Sequence, residues 1–372
     1  MLHFRLLFLT ILILISPASL LAQITIKYSE KFTLEQDDYG WIMTVREPYK
    51  GSPEVLKTRL IQKGKTAPEE DFPKIELPIK KVISLSTVNL PHLVVLNKLS
   101  TLIGVDNFKY INTPEVREVI DQNKLSEVGE FQNLNIEKVL ELCPELVLTY
   151  TTGQAKYDTH HRLRKAGIQT LVLASYLESS PLGRAEWIKL FGLLFGEIEL
   201  ANKTFEGIEQ RYLNMKKLAQ GIQQKPKVFC NAPFGDTWYM PGGDSYKAKL
   251  IADAGGDYLW HSNKETGALP LAFEKVFEIA INADIWLVSS HLPWNNYEDV
   301  LKSDTRYKHF KAFKDHRLIS NDKRRNPQGG NDIYEAGTLN PDLILKDFIQ
   351  IFHPQLLKDS SLYFHRPLQV KN

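Results

Sequence analysis

The stretch from Ser180 to Gly221 constrains this chain most. Ser180-Pro181 is a helix start: a side-chain oxygen that can cap free N–H groups, then a proline where no N–H is needed. A first helix is predicted over 181–194, interrupted at Phe195-Gly196. A second carries Ile198, Ala201, Phe205, Ile208, Tyr212, Met215 and Ala219, at spacings of three and four that lay one apolar stripe along one face. Gly221 ends it, and Pro226 precedes a new strand. Such a helix is ~30 Å long, about the width of a small domain. It is either a core helix of one large domain or a strut between two lobes.

A chain of 372 residues exceeds the usual span of a single core, which favours two domains. Composition is ordinary for a globular protein, 43% hydrophobic and 24% charged, with a net charge of +2. No clustered basic face points to nucleic acid. Lys323-Arg324-Arg325 is the densest basic run and suits at most one anionic ligand. The first residues read as a secretory signal peptide: Arg5, the apolar runs 6–9 and 11–15, then Ser16-Pro17-Ala18, with cleavage expected after Ala22. No cysteine lies near that site for lipidation, and no later stretch is apolar enough to span a membrane. The mature protein is expected outside the cytoplasm. Cys143 and Cys230 fall in different halves and are expected to be unbonded, small buried residues.

Residues 24–28, 41–45 and 58–61 read as short strands of an antiparallel meander, and 66–78 as an extended connector. From Lys81 onward strands alternate with helices. Strands are expected at 82–85, 102–105, 146–150 and 170–173, with helices at 91–98, 136–142 and 160–165. After the long helix come strands at 228–229, 285–288 and 318–319, and helices at 246–254, 273–281 and 343–352. Continuous apolar strands separated by helices predict a parallel sheet covered on both faces.

The two halves share a segment. Ile136-Glu137-Lys138-Val139-Leu140-Glu141-Leu142 and Phe273-Glu274-Lys275-Val276-Phe277-Glu278-Ile279 both read apolar-Glu-Lys-Val-apolar-Glu-apolar, 137 residues apart, each just before a buried strand. Duplicated α/β lobes joined by one helix form a cleft, and ligands of open α/β sheets sit beyond the carboxyl ends of the strands. Glu137 and Glu274 each stand at a helix start, where the helix dipole by itself favours a carboxylate. Two matching arginines of a partner could also read them as a pair of weak, orienting contacts.

Signal peptide, paired lobes and single linking helix together resemble a periplasmic substrate-binding protein. The likeness is to the helical-hinge group serving ABC importers of iron–siderophore complexes and vitamin B12. It runs from about Val82 to Leu357 and is carried by several strings: 82–87, Ile103-Gly104-Val105-Asp106, Val128-Gly129-Glu130-Phe131 before Asn135, Leu182-Gly183-Arg184-Ala185-Glu186-Trp187, 241–246 and Ala254-Gly255-Gly256. The resemblance implies two Rossmann-like α/β lobes joined by a single long helix, with the small β meander at the N-terminus. The expected division is a signal peptide at 1–22, meander and connector at 23–78, a first lobe at 79–180, a helical hinge region at 181–221, a second lobe at 222–358 and a tail at 359–372. It implies no catalysis, a metal chelate as ligand and no resident cofactor or protein-bound metal. It also implies a monomer in the periplasm, with the importer's transmembrane permease as partner. Glu137 and Glu274 match the glutamates that dock on permease arginines. First-lobe ligand contacts would come from Ser86, Thr87, Asn89, Phe108 and Phe131. Second-lobe contacts would come from Trp238, Tyr239, Tyr246, Trp294, Arg324, Arg325, Asn331 and Tyr334. Flat rings suit a corrin, haem or catecholate, and arginine suits an anionic chelate.

Two other readings compete. A secreted enzyme could use the cleft, although no Gly-x-Ser-x-Gly elbow, His-Glu-x-x-His pair or phosphate loop occurs. Capture of bare zinc or manganese needs convergent ligands. His160-His161 is the only histidine cluster, and neighbours on a helix are expected to point apart. His92, His261, His291, His309 and His316 read as surface or capping residues.

Overall fold

The computed structural model describes residues 23–289, 294–358 and 360–370; the expected signal peptide and His291 lie outside them. The N-terminal strands are β1 (Phe32–Asp37), β2 (Gly40–Arg46), β3 (Val55–Gln62) and β4 (Lys74–Leu77). β1 to β3 form an antiparallel meander, and β4 adds in parallel to β3. The expected connector therefore supplies a strand, its Ile75 and Leu77 buried and Lys74 and Glu76 exposed. Arg59 is buried in this sheet and held by Asp37 at 2.7 Å and by Glu70, both of whose carboxyls it keeps below their usual range.

Residues 24–28 are extended but are not a strand. Their partner is a carboxylate rather than a sheet. Glu186 accepts the N–H groups of Lys27 (2.8 Å), Tyr28 (2.6 Å) and Ser29 (2.9 Å), and Glu178 accepts those of Glu30 and Lys31 (both 3.1 Å).

The first lobe holds β5 (Val82–Ser84), β6 (Leu102–Val105), β7 (Ser126–Glu127), β8 (Leu146–Thr149) and β9 (Thr170–Val172), in the order β7-β6-β5-β8-β9, all parallel. Strand residues alternate between two apolar clusters. Ile83 and Val147 join Val139 and Leu163 of the Ile136–Leu142 and His160–Lys165 helices; Val82, Leu146 and Leu148 join the larger core with Leu93 and Phe191. Period-2 strands buried on both faces are what the continuous apolar runs require.

Three helices follow: Pro181–Glu186, Ile188–Phe195 and the 21-residue Ile198–Leu218. Ser180 Oγ accepts from Gly183 N at 3.0 Å, and Gly196, at φ +73°, closes the second helix. The long helix buries Ala201, Phe205, Ile208 and Tyr212. It packs so closely on its predecessor that a Cβ at Gly192 would lie 2.4 Å from Ala201 Cβ. Polar ties fix its middle turns. Glu209 holds Lys27 at 2.6 Å, Asp342 holds Arg211 at 2.6 Å, and Asp253 takes the Tyr212 hydroxyl at 2.6 Å.

The second lobe contains β10 (Lys227–Cys230), β11 (Pro233–Phe234), β12 (Thr237–Pro241), β13 (Asp257–Tyr258), β14 (Ala268–Leu271), β15 (Ile285–Val288), β16 (Leu318–Ser320) and β17 (Arg366–Pro367). The main sheet has the order β13-β10-β15-β16-β17, parallel except for β17. β11, β12 and β14 form a separate antiparallel sheet. The segment after residue 358 is built into this lobe. Phe364 is fully buried, and Asp347 accepts the N–H groups of Tyr363, Phe364 and His365. The duplicated helices Ile136–Leu142 and Phe273–Ala280 precede β8 and β15, and each of those strands lies beside its lobe's first strand, β5 or β10. Cys143 departs from expectation: it is exposed, in a left-handed helix-ending position, while Cys230 is buried, and neither is bonded. No helix among the described residues is long and apolar enough to cross a membrane.

Candidate functional site

A cleft of about 540 Å³ opens between the lobes. Its first-lobe wall is the set of loops beyond the carboxyl ends of the parallel strands. Residues 85–89 follow β5, Asp106 follows β6, Thr149, Tyr150 and Thr152 end and follow β8, and Leu173, Ser175 and Tyr176 follow β9. Glu130 and Tyr110 complete that side, and Arg325, 329–331 and Tyr334 come from the second lobe.

Ser84 Oγ donates to Ser86 O at 2.8 Å and accepts from Asn89 Nδ2 at 3.0 Å, so the buried Asn89 braces the loop that presents Ser86 and Thr87. Asp106 lies recessed beside Glu130. Burial pushes its carboxyl up to about 7, with the charges of Glu130 and Glu127 adding to the effect. Burial, then the charges of Asp106 and Glu130, raise the Tyr150 hydroxyl above its ordinary value. Tyr176 donates to Thr151 O at 2.8 Å and is pushed up to about 12 by burial. Ring packing aligns this wall, with Tyr150 6.2 Å from Tyr176 and edge-on to Phe131 at 6.3 Å.

The lobes also touch directly. The buried carboxylate of Glu335 accepts from Asn112 N (2.7 Å) and Thr113 N (3.2 Å), at the start of the Pro114–Asp121 helix, where a negative charge is favoured. Asn326 Nδ2 donates to the carbonyls of Lys109 (3.1 Å) and Ile111 (2.9 Å), and Lys249 Nζ to Ser179 Oγ (2.7 Å). Gly330 lies so near Tyr110 that a Cβ there would be 2.4 Å from its carbonyl oxygen. Polar contacts of this kind are exchangeable with water, unlike a continuous apolar interface.

Of the residues singled out in the sequence, Ser86, Thr87, Asn89, Arg325, Asn331 and Tyr334 line the cleft together. Phe131 lines a small recess beside it with Asp106, Glu130 and Tyr150, and Tyr246 lines a second chamber described below. The others fall elsewhere. Trp238 is fully buried in an aromatic core with Phe229 and Trp286, its Nε1 donating to Cys230 O at 2.9 Å. Tyr239, one residue on, is turned to the opposite side of β12, 45% exposed and outside the cleft. Trp294 is buried edge-on against Trp286 and donates to Ser303 Oγ at 2.7 Å, so its loop position did not make it available. Arg324 is committed to Asp332 at 2.5 Å and lies over Tyr363. Phe108 packs half-buried on the first-lobe core. Two histidine expectations also fail. His92 is buried and stacked on Phe191 at 4.4 Å, with burial lowering it to about 4. His160 and His161 lie with ring centroids 3.9 Å apart in the first turn of their helix. Among the described residues no three His, Cys, Asp or Glu groups converge on a common point. The sequence reading missed Tyr110, Glu130, Tyr150, Ser175 and Tyr176 as cleft residues.

Residues 82–324 match the sequence model of the family described as periplasmic binding proteins. The chain belongs to that family. Its one long linking helix places it in the helical-hinge group serving ABC importers. An uncharacterised lipoprotein of Methanocaldococcus jannaschii is 26% identical over 314 residues, 82% of this chain and 72% of the lipoprotein. An uncharacterised ABC transporter substrate-binding lipoprotein of Bacillus subtilis is 25% identical over 175 residues, 46% of this chain and 52% of its own length. A periplasmic haem-binding protein of Pseudomonas aeruginosa superposes with a TM-score of 0.59 at 20% identity, covering 79% of this binding protein and 99% of itself. A possible iron-binding solute-binding protein of Staphylococcus epidermidis gives 0.58 at 16%, with 74% and 99% covered. At these identities the structural likeness establishes the fold of the binding protein.

Proposed function

We propose that this binding protein captures a metal chelate outside the cytoplasm and hands it to the permease of an ABC importer. A ferric siderophore is the first ligand class, with cobalamin and haem next. The observation carrying this reading is the cleft itself, walled by Tyr110, Tyr150 and Tyr176 from one lobe and Tyr334 and Arg325 from the other. Four phenol rings offer flat apolar faces with polar edges, arginine matches the anionic rim of a chelate, and Asp106 and Glu130 accept from ligand N–H or O–H groups. Capture needs no bond made or broken by the protein, which acts as a monomer.

A fluorescence titration with a ferric catecholate, a ferric hydroxamate, haem and cyanocobalamin tests this. One of them should bind with one-to-one stoichiometry and raise the unfolding midpoint in step with occupancy; if none binds, the chelate reading fails. For delivery, Glu137 and Glu274 are both exposed at helix starts, and Glu274 makes a 3.5 Å surface contact with Arg306. Such an exposed pair is weak and exchangeable. Changing both glutamates to Ala should abolish uptake by cells while leaving ligand affinity intact, and surviving uptake would refute the docking role.

A further inference from the structure

A second chamber of about 250 Å³ runs from the cleft toward the hinge, sharing Val88, Ser175, Tyr176 and Tyr334 with it. Its exposed wall is mostly apolar, with Leu250, Leu287, Val288, Ile333, Ile344 and Phe348. Set in that wall is Arg184, from the Pro181–Glu186 helix. One terminal nitrogen donates to the carbonyls of Tyr176 (3.0 Å) and Glu178 (3.1 Å), and the guanidinium lies 3.9 Å above the Tyr246 ring. Its Nε is buried and has no hydrogen-bond partner among the described residues, and burial lowers its pKa. The carboxylate whose charge reaches it is Glu178, which is occupied by Glu30 N, Lys31 N and Trp187 Nε1. The Tyr246 hydroxyl is likewise buried without a partner. Asp342, the carboxylate whose charge reaches that hydroxyl, is held by Arg211 through Oδ2 at 2.6 Å, its Oδ1 being buried without a partner among the described residues. The remaining ionic groups on the wall are also engaged: Lys247 donates to Asn231 Oδ1 at 3.2 Å, and His365 pairs with Asp347 at 2.9 Å.

A buried cation with an unused N–H carries a desolvation cost that a bound oxyanion would offset. Two unused donors set among apolar side chains fit a hydrocarbon arm better than a free ion, because a hydrated ion gains nothing from the apolar wall. We propose that this chamber is a subsite for an anionic arm of the ligand, a short apolar chain ending in a carboxylate or phosphate whose oxygens take Arg184 Nε–H and the Tyr246 hydroxyl. The inference rests on the cleft being the ligand site.

The test uses the whole chain, labelled with ¹⁵N, and follows the side-chain Nε–H resonance of Arg184, assigned by its loss in Arg184→Lys. The probes are 4-phenylbutyrate, its uncharged amide and phenyl phosphate, with acetate and inorganic phosphate as armless anions. A saturable shift is expected with 4-phenylbutyrate or phenyl phosphate and not with the amide. The armless anions should bind at least about tenfold more weakly, and Tyr246→Phe should weaken the arm-bearing anion by about tenfold. An absent shift, an equal response to the amide, or armless anions binding as well would each overturn the proposal. Near-UV circular dichroism checks that Arg184→Lys, used for the assignment, and Tyr246→Phe both keep the native packing. A shift from 4-phenylbutyrate in a protein that binds no chelate would uphold the chamber and defeat the chelate reading. A chelate that binds tightly while the probes leave Arg184 unmoved would defeat the chamber alone.

Discussion

Asp106 is a cleft residue whose chemistry departs far from its free behaviour. Its carboxyl is raised from 3.8 to about 7, chiefly by burial. The folded protein therefore keeps a proton that the unfolded chain has lost. That contribution to stability is fully present below 3.8 and disappears as pH rises through about 7. Replacing it, Asp106→Asn, should flatten the fall in unfolding free energy across that window, measured by urea titration at several pH values; an unchanged slope would contradict the assignment. Asp106 was already in a string carrying the family likeness, and Tyr150 and Tyr176 stand just past strand ends. A rule that reads the residues after each parallel strand would have found all three. Trp238 and Tyr239 could not be separated that way. Which of two adjacent rings enters the core depends on the pairing register of β12, and the β11–β12–β14 sheet was not foreseen.

Among the elements, the linking helix was the most legible, because a stripe with a 3.6-residue period has few other solutions. The extended N-terminal segment was the least. Its alternation at Ile24, Ile26 and Tyr28 suits a strand, but its hydrogen bonds go to Glu186 and Glu178, a choice made by residues about 150 positions away. Glu186 is wholly buried and also holds Lys189 at 2.8 Å. Glu186→Ala would leave the Lys27, Tyr28 and Ser29 N–H groups without their carboxylate and the Lys189 ammonium with only the Thr25 carbonyl. The expected loss is about 3–5 kcal/mol of unfolding free energy, since removing one partner of a buried ionic cluster leaves the other uncompensated. Denaturant titration measures it, and a loss under about 1 kcal/mol would mean the clamp is incidental. β4 was misread for a different reason: the prolines at 68, 73 and 78 masked a clean alternation over Lys74–Leu77.

At the scale of the molecule, two parallel sheets meet at the carboxyl ends of their strands, and one helix tied to both sides holds them. The duplication was legible because each helix copy sits before the same strand of its sheet. The polar bridges of Glu335 and Asn326 were not, because nothing in a linear sequence marks which loops face each other across a gap. The central claim is that one ligand is held by both walls at once. The most direct measurement is the affinity of Tyr150→Ala and Tyr334→Ala, one residue from each lobe, for whichever chelate of the proposed panel the wild type binds. Each substitution should weaken binding about tenfold or more, as loss of a buried ring contact does. An affinity that responds to only one lobe, or to neither, would contradict the account.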